Sequence, residues 1–444
     1  MRVKSTWRLL TTLCVVIFSV FAISMVAAQS GAQLDPAAAK IDWKQFQGTT
    51  LRVIFNQHMF TEVLQPKVPE FEALTGMKVT FETYPETEFR NKLMVEFTSG
   101  QTAPDAFMVD QTELSKYLAG NWIEPLDGYI DNAKLTDPKW YSYKDLQGTG
   151  SFGASKGKQF GIPITGEWQI LFYRKDLYAQ KGLKVPRTMD ELYANAKALT
   201  TKDVAGWVGR FSRTSASWYP WAGFVGMYGG YWVDPKTGKP QLGSSATRQA
   251  SDMYVKLARD CGPKGILNYT WYEATSDFQQ GRAAHLTDAS VFESLFEDPV
   301  NSVVAGKVGY AVLPLGKDGV DPKCVTSYWM LGMGKGSQNK EAAWLFLQWA
   351  TSKQMGLDVG LKKGVVVRTS LWSNADFLKK VPRDYAEASA QSAPAGDIYL
   401  YPMIKELGQI GDYVSIALDE VYAGQKSVEA ALKDAQQKTL EALQ

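Results

Sequence analysis

Histidine and cysteine are scarce: the 444 residues hold two histidines, His58 and His285, and three cysteines, Cys14, Cys261 and Cys324. Transition-metal centres need such ligands at close spacing, and neither His-Glu-x-x-His nor Cys-x-x-Cys occurs. The chain also lacks a Gly-x-x-x-x-Gly-Lys loop for a nucleotide phosphate. No metal and no cofactor are therefore expected. Neither charge dominates: 48 basic residues face 46 acidic ones, and no basic block offers a footprint for nucleic acid. Beyond the first 28 residues no apolar run approaches the ~20 residues that cross a bilayer.

Residues 1–28 read as a secretory signal. Arg2, Lys4 and Arg8 precede an apolar run from Leu9 to Val26, and Val26, Ala27 and Ala28 supply the small residues of a cleavage site. The mature chain is expected to begin at Gln29 and to be soluble in the periplasm. An uncleaved anchor is the alternative. That segment carries three basic residues and no acidic one, so the remainder has one more acidic residue than basic. Cys261 and Cys324 remain after cleavage; an oxidising compartment permits a disulfide between them, and the sequence leaves open whether they meet.

The body of the chain alternates strand and helix signals, the rhythm of an α/β fold. Leu51–Phe55 reads as a first strand ending in Asn56, Gln57 and His58, and residues 77–82 as a second. Glu86–Ser99 reads as a helix closed by Gly100, and Ala106–Val109 as a strand ending in Asp110 and Gln111. In open α/β sheets ligands bind beyond the carboxyl ends of strands, which makes these five polar residues candidates. Asp110 is equally suited to capping a helix. Farther on, Ile170–Tyr173 is a short apolar run typical of a buried strand, preceded by Glu167 and Trp168, two further candidate ligand contacts.

Aromatic side chains are plentiful, with 14 Trp, 21 Tyr and 20 Phe. They concentrate between Gly206 and Tyr231. Such rings can lie against the C–H faces of a carbohydrate while their polar tips reach hydroxyls. Trp218 and Trp221 flank Pro220 in a Ser-rich segment that reads as a loop, and with Tyr231 they are the ring candidates there. Core packing is the alternative for every one of them. His285 reads as a core or edge histidine.

Several segments, in consistent order, resemble the extracellular solute-binding proteins of family 1, the sugar-binding components of ABC importers. They are TAPDAFMVDQ (residues 102–111), GNWIEPLD (120–127), GIPITGEWQILFYRKDL (161–177), FQQGRAA (278–284), KVGYAVLP (307–314), NKEAAW (339–344), GVVVR (364–368) and SVEAALKDA (427–435). Val367 stands where the family usually has Pro, and Arg174 where it usually has Asn or Asp. The resemblance implies a two-lobed periplasmic-binding-protein-like fold of type II with three inter-lobe crossovers. One lobe would hold residues 49–163 plus 312–363, the other 164–311 plus 364–444.

It also implies that a neutral carbohydrate or sugar alcohol is captured between the lobes and delivered to the transmembrane subunits of an ABC permease, without catalysis and by a monomer. It adds Asp288, Trp329 and Arg368 as ligand contacts, with Tyr328 a further ring beside Trp329. On this reading Asp110→Ala or Asp288→Ala would weaken binding and leave the melting temperature unchanged. The alternatives are a static carbohydrate-binding protein and an exported glycoside hydrolase, whose carboxylate pair about 5–9 Å apart no count of residues can reveal.

Overall fold

The computed structural model describes residues 34–100, 103–213 and 215–444; the signal assigned to residues 1–28 lies outside them. Ten strands fix the frame: β1 (Thr50–Asn56), β2 (Lys78–Tyr84), β3 (Ala106–Asp110), β4 (Gly161–Pro163), β5 (Glu167–Arg174), β6 (His285–Ala289), β7 (Val308–Val312), β8 (Cys324–Ser327), β9 (Trp329–Met333) and β10 (Gly396–Asp397).

The first sheet has the order β2-β1-β3-β9-β4. Its β1 carries Leu51, Val53, Ile54 and Phe55 fully buried, as befits a strand covered on both faces. It pairs in parallel with β2 and β3, and helices make the crossovers. Gly76 and Gly100, at φ 70° and 68°, end two of those helices in the left-handed conformation that costs a residue with a Cβ. Helix Glu86–Ser99 has the limits the sequence predicts.

The second sheet is built on β5, antiparallel to β6, β7 and β8. Helices Ser215–Met227, Ser245–Cys261, Leu407–Tyr422 and Val428–Ala442 pack into the same lobe. The segment from Ser215 to Met227, read as a loop around Pro220, is helical. It is apolar nearly all round, so burial rather than amphipathic periodicity holds it. Pro220 turns its carbonyl to Gln169 Nε2 at 3.1 Å, which ties the helix to β5.

The sheets are joined three times. Residues 164–166 link β4 to β5. Within residues 312–327, expected in the first lobe, Val312 and Cys324–Ser327 belong to strands of the second sheet. KVGYAVLP forms β7 and pairs along β5, and Thr326 and Ser327 then face Trp168 and Glu167. The return crossing is Tyr328, between β8 and β9. The third link starts at Gly364: helix Ala375–Lys380 packs on helix Lys353–Lys363, and helix Arg383–Ser392 covers β7 and β5.

Cys261 and Cys324 are free and buried on different elements, a helix end and β8. The Cys324 thiol donates to the carbonyls of Gln169 and Val325. His285 is a core residue: its Nδ1 meets the Gly206 carbonyl at 2.6 Å and its Nε2 the Tyr178 hydroxyl at 2.7 Å. Burial pushes its pKa down to about 4, so the ring is neutral.

Candidate ligand-binding cleft

The carboxyl ends of β1 and β3 point toward the second lobe, and a cavity of about 90 Å³ lies between the two. Pockets for drug-sized molecules run to about 300–1,000 Å³, so the space suits a small molecule. Seven of the thirteen residues singled out from sequence line it: Asn56, Gln57, His58, Asp110, Glu167, Trp218 and Trp329.

The first lobe contributes most of the polar wall. Asn56 ends β1, is 1 % exposed, and has no hydrogen-bond partner for its Oδ1 among the described residues. His58 Nδ1 accepts from the Phe60 amide at 3.1 Å, which leaves Nε2 as the protonated nitrogen, 3.4 Å from Glu167 Oε1 across the joint. Asp110 Oδ1 takes the Thr112 amide at 2.7 Å and the Thr112 hydroxyl, so the residue holds a turn as well as facing the cavity. Its other oxygen lies 3.6 Å from Arg90. Burial raises its pKa against the pull of Arg90 and Thr112.

Arg90 and Glu86 line the cavity without having been foreseen. Both sit on helix Glu86–Ser99, one turn apart, and are bonded at 2.8 Å. Burial opposes the charge on Glu86, but Arg90, Arg210 and Trp271 together hold its pKa below the ordinary value. The Arg90 guanidinium lies 5.0 Å from the Trp329 ring centre. Helix periodicity pairs positions 86 and 90, yet it cannot tell a surface ion pair from one aimed into a cleft.

The second lobe answers with Arg210, Trp218, Tyr219, Trp271 and Phe292. Asp288, the expected hydroxyl acceptor, is 0 % exposed and does not line the cavity. It grips Arg210 with both oxygens, one at 2.8 Å, and takes the Ala289 amide at 2.7 Å. The guanidinium thus held stands 4.7 Å from the Tyr219 ring centre. The Tyr219 hydroxyl has no partner among the described residues. Burial, then Glu167, raises its pKa far above the usual tyrosine range.

The other candidates lie elsewhere. Trp221 is core, its Nε1 on Ser251 Oγ at 2.8 Å and its ring 5.0 Å from that of Trp232. Trp168 is buried near Trp372. Tyr231 bonds Asp397 at 2.7 Å beside Lys323, away from the cavity. Arg368 is buried and donates to the carbonyls of Tyr141 and Thr351 at 2.9 and 2.6 Å, stapling the third link to the first lobe. Gln111 accepts the Gly153 amide at 2.9 Å and lines a neighbouring groove. Tyr328 stacks on Phe152 with ring centres 3.8 Å apart. Among the described residues no group of His, Cys, Asp and Glu could hold a metal ion, and no helix is long and apolar enough to cross a membrane.

Two α/β lobes joined by three crossings, with a polar and aromatic cavity between them, define a two-lobed ligand-binding protein. Residues 60–356 match the family model described as bacterial extracellular solute-binding protein, and the chain belongs to that family of binding proteins. It is 27 % identical over 408 residues to the erythritol/L-threitol-binding protein of Mycolicibacterium smegmatis, covering 86 % of this chain and 84 % of that one. It is 28 % identical over 416 residues to the mannitol-binding protein of Pseudomonas aeruginosa, covering 88 % and 92 %. A solute-binding protein of an ABC transporter from Agrobacterium radiobacter, solved with ribitol, superposes with a TM-score of 0.80 at 29 % identity over 88 % of this chain and 98 % of that one.

Proposed function

We propose that this chain is the substrate-binding component of an ABC importer for a short sugar alcohol. The carrying observation is the charge balance of the cavity. Arg90 is bonded to Glu86 and Arg210 to Asp288, Asp110 and Glu167 add further carboxylate to the wall, and Asn56 Oδ1 and the Tyr219 hydroxyl, one from each lobe, are left without partners among the described residues. A phosphate or carboxylate ligand would need cationic charge to spare. An uncharged polyol needs alternating donors and acceptors, and the buried unpaired groups gain most from meeting its hydroxyls. The relatives named for erythritol, mannitol and ribitol support the same class.

Asn56, His58, Asp110, Glu167, Trp218 and Trp329 are thus proposed ligand contacts, joined by Arg90, Arg210 and Tyr219. The lobes are proposed to run from residue 49 to 163 plus 329–363, and from 164 to 327 plus 381–444. The signal at residues 1–28 would send the protein to the periplasm, where the closed form would dock on the permease and release the polyol chemically unchanged.

The test is a thermal-shift titration of residues 29–444 with erythritol, ribitol, D-mannitol and maltose. A polyol at 100 times its dissociation constant adds about 2.7 kcal/mol and raises Tm clearly. Response to maltose alone overturns the polyol reading, and recovery of cleaved saccharide overturns the transport reading.

A further inference from the structure

Trp271 opens helix Trp271–Gln279, and its backbone is fixed by a reciprocal cap: the Thr270 side chain accepts from the helix's first turn, and Glu273 accepts the Thr270 amide at 2.8 Å. Its indole is clamped as well, with ring centres 3.7 Å from Tyr272 and 5.4 Å from Phe292 in near-parallel planes. The ring has little freedom, so its Nε1–H points in one direction. There it meets Glu86 Oε2 of the opposite lobe at 3.2 Å.

Glu86 is equally constrained. It begins helix Glu86–Ser99, where the helix dipole favours a carboxylate. Its Oε1 is held by Arg90, at 2.8 and 3.2 Å, and so Oε2 is the oxygen left for the far side of the cleft. Both residues line the cavity, and Tyr272 beside them is 37 % exposed, which places the contact at the mouth. A rigid donor on one lobe thus meets a rigid, ionised acceptor on the other.

We infer that Trp271 is the latch of the cleft: its hydrogen bond to Glu86 closes the mouth over the polyol and sets how fast the polyol leaves. The inference rests on the polyol-binding reading. The bond exists only when the lobes are together, so it slows release without aiding encounter. It also demands that the occupant be wholly enclosed, which excludes any saccharide that protrudes.

The test uses Trp271→Phe, which keeps an aromatic ring against Tyr272 and Phe292 and removes only the donor, with Glu86→Gln as the second variant. Dissociation of erythritol, ribitol or D-mannitol, whichever shifts the wild type, is followed by stopped-flow tryptophan fluorescence. A hydrogen bond to a charged acceptor predicts release at least about tenfold faster in Trp271→Phe, with an association rate no slower than that of wild type. An unchanged release rate, or a loss of affinity carried by the association rate, overturns the latch. Should none of the three polyols bind the wild type, the polyol reading fails by itself. The latch is then decided by small-angle scattering of the free proteins: Trp271→Phe gives the larger radius of gyration if the bond holds the lobes together, and an equal one if it does not.

Discussion

At the scale of the residue, Asp288 shows how a side chain can serve a site without touching it. Its carboxylate is fully buried and its two oxygens are both taken by Arg210. Asp288→Ala would strand a buried guanidinium, a loss of about 3–5 kcal/mol. A fall in both Tm and polyol affinity is therefore expected, measured by denaturation of the free protein and by titration. An unchanged Tm would return Asp288 to the role of a simple ligand acceptor, as the sequence suggests. The pattern of apolar strand followed by polar end puts Asn56, His58 and Asp110 on the cavity wall because strand ends face the cleft in any such sheet. It misplaces Asp288 because the buried partner, Arg210, lies 78 residues away on a loop without periodicity. Trp218 and Trp221 show the same limit. Three residues apart on one buried helix, both pack on Trp232, but one also lines the cavity while the other turns its Nε1 to Ser251 in the core, and only the tertiary setting separates them.

At the scale of the element, strands and capped helices are legible because their signals are local, whereas the wedges between lobes are not. Helix Glu293–Phe296 is such a wedge: only four residues long, it packs against helix Lys353–Lys363 from the other lobe. A Cβ on Gly364 would fall 2.5 Å from Glu293 Oε2, so that carboxyl rests on the start of the third link. Burial, reinforced by Glu297 one turn on, raises its pKa from the ordinary 4.5 to about 8. The folded state therefore holds this proton more tightly than the unfolded chain does. The stability it contributes is complete below about pH 4.5 and is lost as pH rises toward 8, at up to about 1.4 kcal/mol per pH unit. Glu293→Gln, which cannot ionise, should lose less stability than wild type between pH 5 and pH 8, read from urea midpoints. Parallel pH profiles would show the carboxyl to be ionised in the fold.

At the scale of the whole molecule, the crossings make the two lobes one folding unit. β9 lies between β3 and β4 in the first sheet, yet it follows β8, a member of the second, with Tyr328 alone between them. The link from β4 to β5 is three residues long, and Ile164, Trp168, Tyr328 and the Val365–Val367 run are all buried at the joint. The buried apolar side chains of both sheets form one continuous cluster there. Unfolding either sheet alone would pull a strand from its partner's neighbour and expose that joint, so no half-folded state is cheap. Hence a single cooperative transition is expected, with tryptophan fluorescence and far-ultraviolet circular dichroism melting together and a bound polyol raising both midpoints equally. Closure then moves the lobes as rigid bodies on short, well-packed links, and the polyol supplies the difference in affinity that drives it. Two resolved transitions, only one of them shifted by polyol, would mean that the joint is too weakly packed to couple the lobes. The ligand would in that case be held by one lobe before the other meets it.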